Sequence, residues 1–368
     1  MAFALQPTSI RSVRYAPLDI PLLAPFGISG GALEVAANVL VSVELEDGSV
    51  GYGEAAPFPA YNGETQAAAL ETVSRASNWM PGRDAARWRE FAPEFRSTAG
   101  RPCGSALCAL ETALLDAVSR GSAVSLWRYF GGAGTELETD MTVTTGTRDG
   151  AREAARMIRR RGIRIIKAKV GGPGGPDADL DRVCAILEAS PGSPLVLDGN
   201  AGMDRAEASR LVSGLKSRGI SPALLEQWLP KGDLPGMREL GAESGWPVAA
   251  DESVTTAADA RVVARERAAQ VINVKLMKAG VSEALEIVSV ARDAGIGLMI
   301  GGNVESILAM TMSACFAAGL GGFAHADLDT PLFLAENPFE GGYAMEGGRI
   351  SVAHISAGHG VVPRGILL

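Results

Sequence analysis

From Glu138 onward, short apolar runs recur with a regular rhythm: "DMTVTT", "RIIKAKV", "PLVLDGN", "ALLEQ", "PVAADES", "QVINVKLMK", "GLMIGGN" and "FAHADLD". Amphipathic helical stretches such as "DRAEASRLVSGLKSRG" and "SEALEIVSVARDAG" lie between most of them. A run that is apolar on both faces must be covered on both, and a parallel sheet flanked by helices does this. Eight such candidates predict an α/β barrel. Alternation alone leaves an open doubly wound sheet equally allowed, so the placement of polar residues decides. Six runs carry acids or lysines at their C-terminal ends, the end where barrels assemble their sites.

Side chains two apart in a strand share a face. Lys167 and Lys169 therefore project together with Ile165, Asp198 with Asn200, and Asp327 with Asp329. Lys275 projects inward from its run, and Lys278 falls past the strand on the other parity. Glu226, then Asp251 with its neighbour Glu252, end the two runs that follow Asp198. Asp198, Glu226 and Asp251 on three consecutive strands would converge and repel. A hard divalent cation with oxygen ligands and open positions, Mg²⁺, relieves this. Unrelated helix-capping acids would not recur so regularly.

Lys169 lies one strand before the three acids and Lys275 one strand after, so they face each other across the mouth. Lys167 and Lys169 are ~7 Å apart by the strand rise. At an effective dielectric of ~20 their repulsion is about 2.4 kcal/mol, or roughly 1.7 pKa units. The expectation is lysines pushed toward neutrality and able to act as general bases. Two bases flanking one metal suggest proton removal from one face of a carbon and return to the other, through an enediolate that the metal stabilises.

The first ~120 residues differ in pattern and read as an α+β unit. "NVLVSVELEDGSVGYGEA" predicts a hairpin around Asp-Gly, and "ETQAAALETVSRASNWM", "DAARWREF" and "GSALCALETALLDAVSRG" predict helices. "GYGEAA" is followed by Pro57 and Pro59 where a dinucleotide-binding helix should begin, and "GGPGG" lacks the Gly-Lys-Ser/Thr of a phosphate loop. A net charge of −8 argues against nucleic-acid and anionic-membrane partners. Four cysteines without a CxxC suggest reduced thiols and a cytoplasmic compartment. "MAFALQPTSIRS" lacks signal-peptide architecture. The run "SILAMTMSACFAAGLGGF" has a helical part too short to span a bilayer and reads as a buried helix. Association into homo-oligomers is left open.

The ordered set "KAK" (Lys167, Lys169), "DGN" (Asp198), "EQ" (Glu226), "ADES" (Asp251) and "NVKLMKAG" (Lys275) resembles the enolase superfamily in its muconate-lactonising-enzyme subgroup. The resemblance implies a modified (β/α)7β TIM barrel with an N-terminal α+β capping domain completed by the C-terminal segment. The expected division is 1–125, 126–331 and 332–368. It also implies one Mg²⁺ per site on Asp198, Glu226 and Asp251, catalysis by Lys169 and Lys275 with Lys167, and support from Asn200, Glu252, Asn303 and Glu305. "DLDTPL" resembles the Asp-x-Asp signature of dipeptide epimerases, whose two acids bind a dipeptide's α-ammonium. These are Asp327 and Asp329 here.

Two departures from the pattern stand out. Trp228 follows Glu226-Gln227 where the family has Pro, and is expected to reshape the wall near the metal. No Arg or Lys lies between Pro21 and Glu34, where relatives that epimerise Ala-Glu carry an arginine. Leu22, Leu23, Phe26, Ile28, Phe58 and Tyr61 are expected to face the mouth from the cap. Glu64 is the nearest charge, able to select a cationic side chain if its loop folds inward. The implied activity is epimerisation of L-Ala-L-Xaa dipeptides with an apolar second residue. The alternatives are muconate cycloisomerisation, o-succinylbenzoate synthesis, N-acylamino acid racemisation, and a non-catalytic dipeptide-binding protein. Sugar-acid dehydration, which uses a His–Asp pair in the barrel, fits poorly with only His325, His354 and His359.

Overall fold

The computed structural model describes residues 8–28, 31–98 and 103–365. It opens with three antiparallel strands, β1 (Ile10–Ile28), β2 (Gly31–Leu45) and β3 (Val50–Ala55), in the order β1-β2-β3. The β2–β3 hairpin turns at Asp47-Gly48, with Gly48 at φ 86°. β1 has no counterpart among the sequence expectations, because Pro17, Pro21 and Pro25 interrupt its pattern. Its place at the sheet edge accommodates them, since an edge strand leaves one row of N–H groups unused. The register shifts between Pro21 and Phe26.

Helices α1 (Gln66–Trp79) and α2 (Gly104–Gly121) form the helical part of the cap. Thr65 caps α1 by accepting the Ala68 N–H. α2 lies so close to β3 that a Cβ on Gly53 would stand 2.0 Å from Ala109 O, and one on Gly51 2.2 Å from Ala113 O.

Eight parallel strands follow: β4 (Met141–Val143), β5 (Ile166–Lys169), β6 (Leu195–Asp198), β7 (Leu224–Glu226), β8 (Val248–Ala250), β9 (Val271–Lys275), β10 (Gly297–Gly301) and β11 (Phe323–Ala326). They pair in sequence order. A parallel bridge between Thr139 and Ala326, with the Asp140 N–H on Ala326 O at 2.9 Å, joins the first strand's entry to the last strand. Between successive strands run α3 (Arg148–Arg160), α4 (Gly175–Ala189), α5 (Arg205–Ser217), α6 (Leu234–Ser244), α7 (Ala257–Glu266), α8 (Val281–Asp293) and α9 (Ile307–Leu320). This is the (β/α)7β arrangement with an α+β cap. No helix among the described residues is long and apolar enough to cross a membrane.

Strand parity sorts the core into two sets. Ile166, Leu197, Leu225, Ala250, Ile272 and Ile300 face the helices within the main apolar core. Val196, Leu224, Ala249, Val271 and Met299, with Ile165, fill a separate layer inside the sheet. Two residues beyond each member of that inner layer comes a polar or open position: Lys167, Asp198, Glu226, Asp251, Asn273 and Gly301. An apolar floor thus supports the site.

Two buried cap carboxylates bind the first turns of barrel helices, whose N–H groups have no partner within the helix. Glu54 of β3 accepts the Ser306 N–H at 3.0 Å and the Ala309 N–H at 3.3 Å at the start of α9. Glu111 of α2 accepts the Val281 and Ser282 N–H groups at the start of α8. The C-terminal segment returns to the cap. Phe339 and Val361 pack with Leu18, Ile20 and Leu40, and Asp116 of α2 accepts the His359 N–H at 2.9 Å. His359 Nδ1 accepts the Val361 N–H, so Nε2 donates to Tyr52 O at 2.9 Å.

The contact between β3 and α2 is testable. Gly53→Ala should lower the thermal midpoint by several degrees, since overpacking costs about 1–3 kcal/mol. An unchanged midpoint would show that strand and helix can separate without loss.

Candidate active site

The strand ends set the charged groups side by side. Lys169 pairs in register with Asp198, and Asp198 with Glu226. Asp251 follows the last residue of β8, and Lys275 ends β9. All are buried. Lys169 Nζ donates to Asp198 Oδ2 at 2.7 Å, and Lys275 Nζ lies 2.8 Å from Asp251 Oδ2. Lys167, fully buried, lies between two sets of acids: its Nζ is 2.6 Å from Asp327 Oδ2 and 2.9 Å from both Asp198 Oδ2 and Glu226 Oε2.

These pairs reverse one electrostatic expectation. The repulsion between Lys167 and Lys169 is outweighed by the acids. Burial favours a neutral Lys167, but Asp198, Asp327 and Glu226 together hold its pKa well above the ordinary lysine value. Burial likewise opposes charge on Lys275, and Asp251 raises it. Burial alone would raise Asp198, yet Lys167 and Lys169 hold it at about 2. Lys275 and Lys278 overcome burial in the same way to hold Asp251 below the usual carboxylate range. Glu226 is raised, by burial and then by Asp198.

Lys278 is a second correction. The strand ends at Lys275, and a 3-10 turn over Leu276–Lys278 swings this side chain back inward. Its Nζ donates to the carbonyls of Asp251 (2.7 Å), Asn273 (2.8 Å) and Val254 (2.9 Å), and lies 2.9 Å from Asp251 Oδ1. Strand parity could not show this, because the strand is over before the residue is reached.

The loops after β6 and β7 carry uncommon backbone angles: Asn200 at φ 41°, Ala201 at 56° and Gln227 at 38°. Hydrogen bonds hold them. The Asn200 N–H reaches Asp198 Oδ1 (2.9 Å) and the Ala201 N–H reaches Gln227 O (2.7 Å). Gln227 Oε1 accepts the Asp251 N–H (2.9 Å) and the Ser253 N–H (3.1 Å), which fixes the loop bearing Asp251. Trp228 does not reshape the wall. It is fully buried, donates from Nε1 to Leu197 O at 2.8 Å, and packs under the loop at Gly199.

Of the supporting residues, Asn200 donates to Glu252 at 3.2 Å. Asn303 donates to Ala56 O at 2.9 Å and ties the cap to the mouth, while Glu305 accepts the Asn303 N–H at 2.7 Å. Burial raises Glu252 and Glu305 each to about 8.

A small cavity joins these groups. Lys169, Lys275, Asn200, Asn303, Asp327 and Asp329 line it from the barrel, and Phe26, Phe58 and Tyr61 from the cap. The Tyr61 hydroxyl donates to Asp251 Oδ1 at 3.1 Å, and Lys275 Nζ sits 4.7 Å from its ring centre. Beyond Tyr61 lies a larger cleft of about 440 Å³, lined by Glu252 and Lys278 but by neither Lys169 nor Lys275, so the chemistry belongs to the smaller cavity.

Three cap expectations change. Leu23 is 66% exposed and faces away from the mouth. Leu22 bridges to Leu334 of the C-terminal segment. Glu64 is committed to the start of α2, accepting the Gly104 N–H (2.7 Å) and the Ser105 hydroxyl (2.6 Å), so it cannot select a cationic side chain. The side chain of Ile28, and Gly30 of the loop that lacks Arg and Lys, lie outside the described residues.

Two groups of acids could hold cations. Asp198, Glu226 and Asp251 offer only oxygen donors, and Glu226 Oε2 and Asp251 Oδ2 are buried without accepting a hydrogen bond. This suits a hard divalent ion. On the opposite side, Asp140, Asp327 and Asp329 present oxygens all within 4.8 Å of one another. Asp140 has no counterpart among the sequence candidates. It stands at the start of its run, whereas the other acids were recognised at the ends.

The family model described as enolase C-terminal domain-like matches residues 149–365, and that of the mandelate racemase / muconate lactonizing enzyme N-terminal domain matches 11–131. The chain is 48% identical over 355 residues to the aromatic dipeptide epimerase of Herpetosiphon aurantiacus, covering 96% of this chain and 99% of that protein. It is 36% identical over 331 residues to the L-Ala-D/L-Glu epimerase of Thermotoga maritima, covering 89% and 94%. The crystal structure of the dipeptide epimerase from Enterococcus faecalis complexed with Mg and L-Leu-L-Tyr superposes with a TM-score of 0.91 at 30% identity, covering 96% and 99%.

Lys278→Met should lower stability in urea denaturation by about 3–5 kcal/mol, because it leaves a buried carboxylate and three carbonyls without their donor. An unchanged midpoint would remove Lys278 from the support of Asp251.

Proposed function

We propose that this chain, which belongs to the enolase superfamily, is a Mg²⁺-dependent dipeptide epimerase that inverts Cα of the second residue by moving its proton between Lys169 and Lys275. One observation carries the reading. The two lysines line a single cavity that has metal-suited acids at one end and the Asp327–Asp329 pair at the other. A zwitterionic dipeptide has the matching polarity, a carboxylate at one end and an ammonium at the other. Muconate cycloisomerisation, o-succinylbenzoate synthesis and N-acylamino acid racemisation offer no ammonium to Asp327 and Asp329.

Asp198, Glu226 and Asp251 would hold the Mg²⁺. When bound, the ion supplies positive charge that stabilises the substrate carboxylate as the Cα proton leaves and that favours neutral, base-competent lysines nearby. Lys275 takes the proton from the S-configured carbon and Lys169 returns one to the opposite face, with the roles exchanged for the R isomer. Lys167 stays charged and keeps the two acid groups apart. Asp327 and Asp329 orient the amino end, and Asn200, Glu252, Asn303 and Glu305 brace the loops around the mouth. The aromatic walls from the cap exclude water, and with it competing protonation. Residues 1–125, 126–331 and 332–368 serve as cap, catalytic barrel and returning segment. Free Cys103, Cys108, Cys184 and Cys315 support a cytoplasmic setting.

The second residue is apolar in this reading. Phe26 and Phe58 are buried at the cavity, Phe26 packs edge-on against Phe333 at 5.3 Å, and Val304 and Leu334 complete the cluster. The name of the Herpetosiphon relative, with which this chain shares 48% identity, points the same way.

Two experiments test the proposal. In D₂O, Lys169→Ala should still exchange the Cα proton of the L isomer without epimerising it, and Lys275→Ala should do the same for the D isomer. Equal loss with both isomers in both variants would remove the two-base assignment. Burying a Leu- or Phe-sized side chain gains about 1.5–3 kcal/mol, roughly ten- to a hundredfold. L-Ala-L-Phe and L-Ala-L-Leu should therefore exceed L-Ala-L-Glu in kcat/KM, and the opposite order would overturn the apolar specificity.

A further inference from the structure

We propose that Asp140 is the third acceptor for the substrate's primary ammonium, completing a three-carboxylate cradle with Asp327 and Asp329. This rests on the dipeptide reading above and assigns a binding residue beyond it. The geometry comes first. A primary ammonium has three N–H donors in tetrahedral directions. Acceptors about 2.8 Å from its nitrogen would stand about 4.6 Å from one another. Oxygens of Asp140, Asp327 and Asp329 lie within 4.8 Å of one another.

The second observation is unmet hydrogen-bonding capacity. Asp140 is 2% exposed and Asp329 is fully buried, yet Oδ1 of each accepts no hydrogen bond. Buried carboxylate oxygens are costly without a donor. The backbone does not supply one, since the Asp140 N–H is spent on Ala326 O and Asp329 takes the Thr142 N–H on its other oxygen, Oδ2.

The third observation is a shortage of positive charge. Lys167 is the ammonium at hand, and it contacts Asp327 while also serving Asp198 and Glu226. Burial, and then Asp327, raise the proton affinity of both Asp140 and Asp329. A cation arriving from the cavity relieves this, and Asp327 and Asp329 border the cavity on the side away from the metal-suited acids. A cradle with three acceptors also selects for a primary amine. N-acylation removes the charge, and N-methylation removes one of the three donors.

The test compares wild type with Asp140→Asn, in the full chain with Mg²⁺, on three compounds: L-Ala-L-Phe, N-methyl-L-Ala-L-Phe and N-propionyl-L-phenylalanine, the analogue lacking the amino group. Asp140→Asn should raise KM for L-Ala-L-Phe at least tenfold with kcat within threefold, and leave the inhibition constant of the propionyl analogue within twofold. Equal weakening of the dipeptide and the analogue would assign Asp140 a purely structural role, and no change in either would remove it from the site. Either result overturns the proposal. Should the variant not fold, wild type alone decides: N-methylation should raise KM at least tenfold, and indifference to it overturns the cradle. Titration with Mg²⁺ alone covers the rival occupant. Loss of one bound Mg²⁺ in Asp140→Asn with dipeptide KM unchanged would make the cluster a metal site instead. A wild type that turns over no dipeptide overturns the dipeptide reading itself, a result distinct from a wild type that turns over L-Ala-L-Phe while the variant behaves identically.

Discussion

A single buried ammonium holds the architecture of the mouth together. Lys167 has no exposed surface, and it touches Asp327 on one side and Asp198 and Glu226 on the other. Without it, acids from β6, β7 and the end of β11 would face one another in a low-dielectric interior. Desolvating such charges costs several kcal/mol each unless they are paired. The lysine is therefore both a constraint and a divider. It fixes where the two anionic groups stand, and so defines a cavity with two anionic ends and two more lysines along its length.

The rest of the fold serves to hold that cavity rigid and dry. The apolar layer under the mouth is built from the same strand faces that carry the charged residues, so the strand register sets the site. The cap is fastened by Glu54 and Glu111, which bind the open first turns of α9 and α8. Asn303 adds a contact from the loop after β10 to Ala56. Tyr61 reaches down from the cap to Asp251 and lies against Lys275. The returning C-terminal segment, through Phe339, Val361 and His359, packs on the cap strands that carry Phe26. Substrate selection and proton transfer are thus assigned to two units joined by buried polar contacts.

Much of this was legible in the chain. Period-two parity placed Lys167, Lys169, Asp198, Glu226 and Lys275 on the inner face, because strands β5 to β9 are regular and end at those residues. The hairpin at Asp47-Gly48 and the buried helix α9 followed from turn chemistry and from a long uncharged run. The failures have physical causes. Prolines hid β1, since edge placement is a tertiary fact. Lys278 was misplaced because a 3-10 turn resets the direction of its side chain. Pairing favoured charged lysines, reversing the shift expected from repulsion, because the acids outnumber them. Leu23 and Glu64 were assigned to the mouth by proximity in sequence, whereas one is exposed and the other caps a helix. Asp140 begins its run, and only closure of the sheet brings it beside Asp327.

The central claim is that one carbon loses and regains its proton between two lysines. The most direct measurement is incubation of the wild-type chain with Mg²⁺ and L-Ala-L-Phe in D₂O, followed by NMR of both recovered epimers. The account expects deuterium at Cα of phenylalanine in the L-D product and, at longer times, in the recovered L-L dipeptide, with none at Cα of alanine. Absence of deuterium from phenylalanine, or its appearance at alanine, would contradict the account.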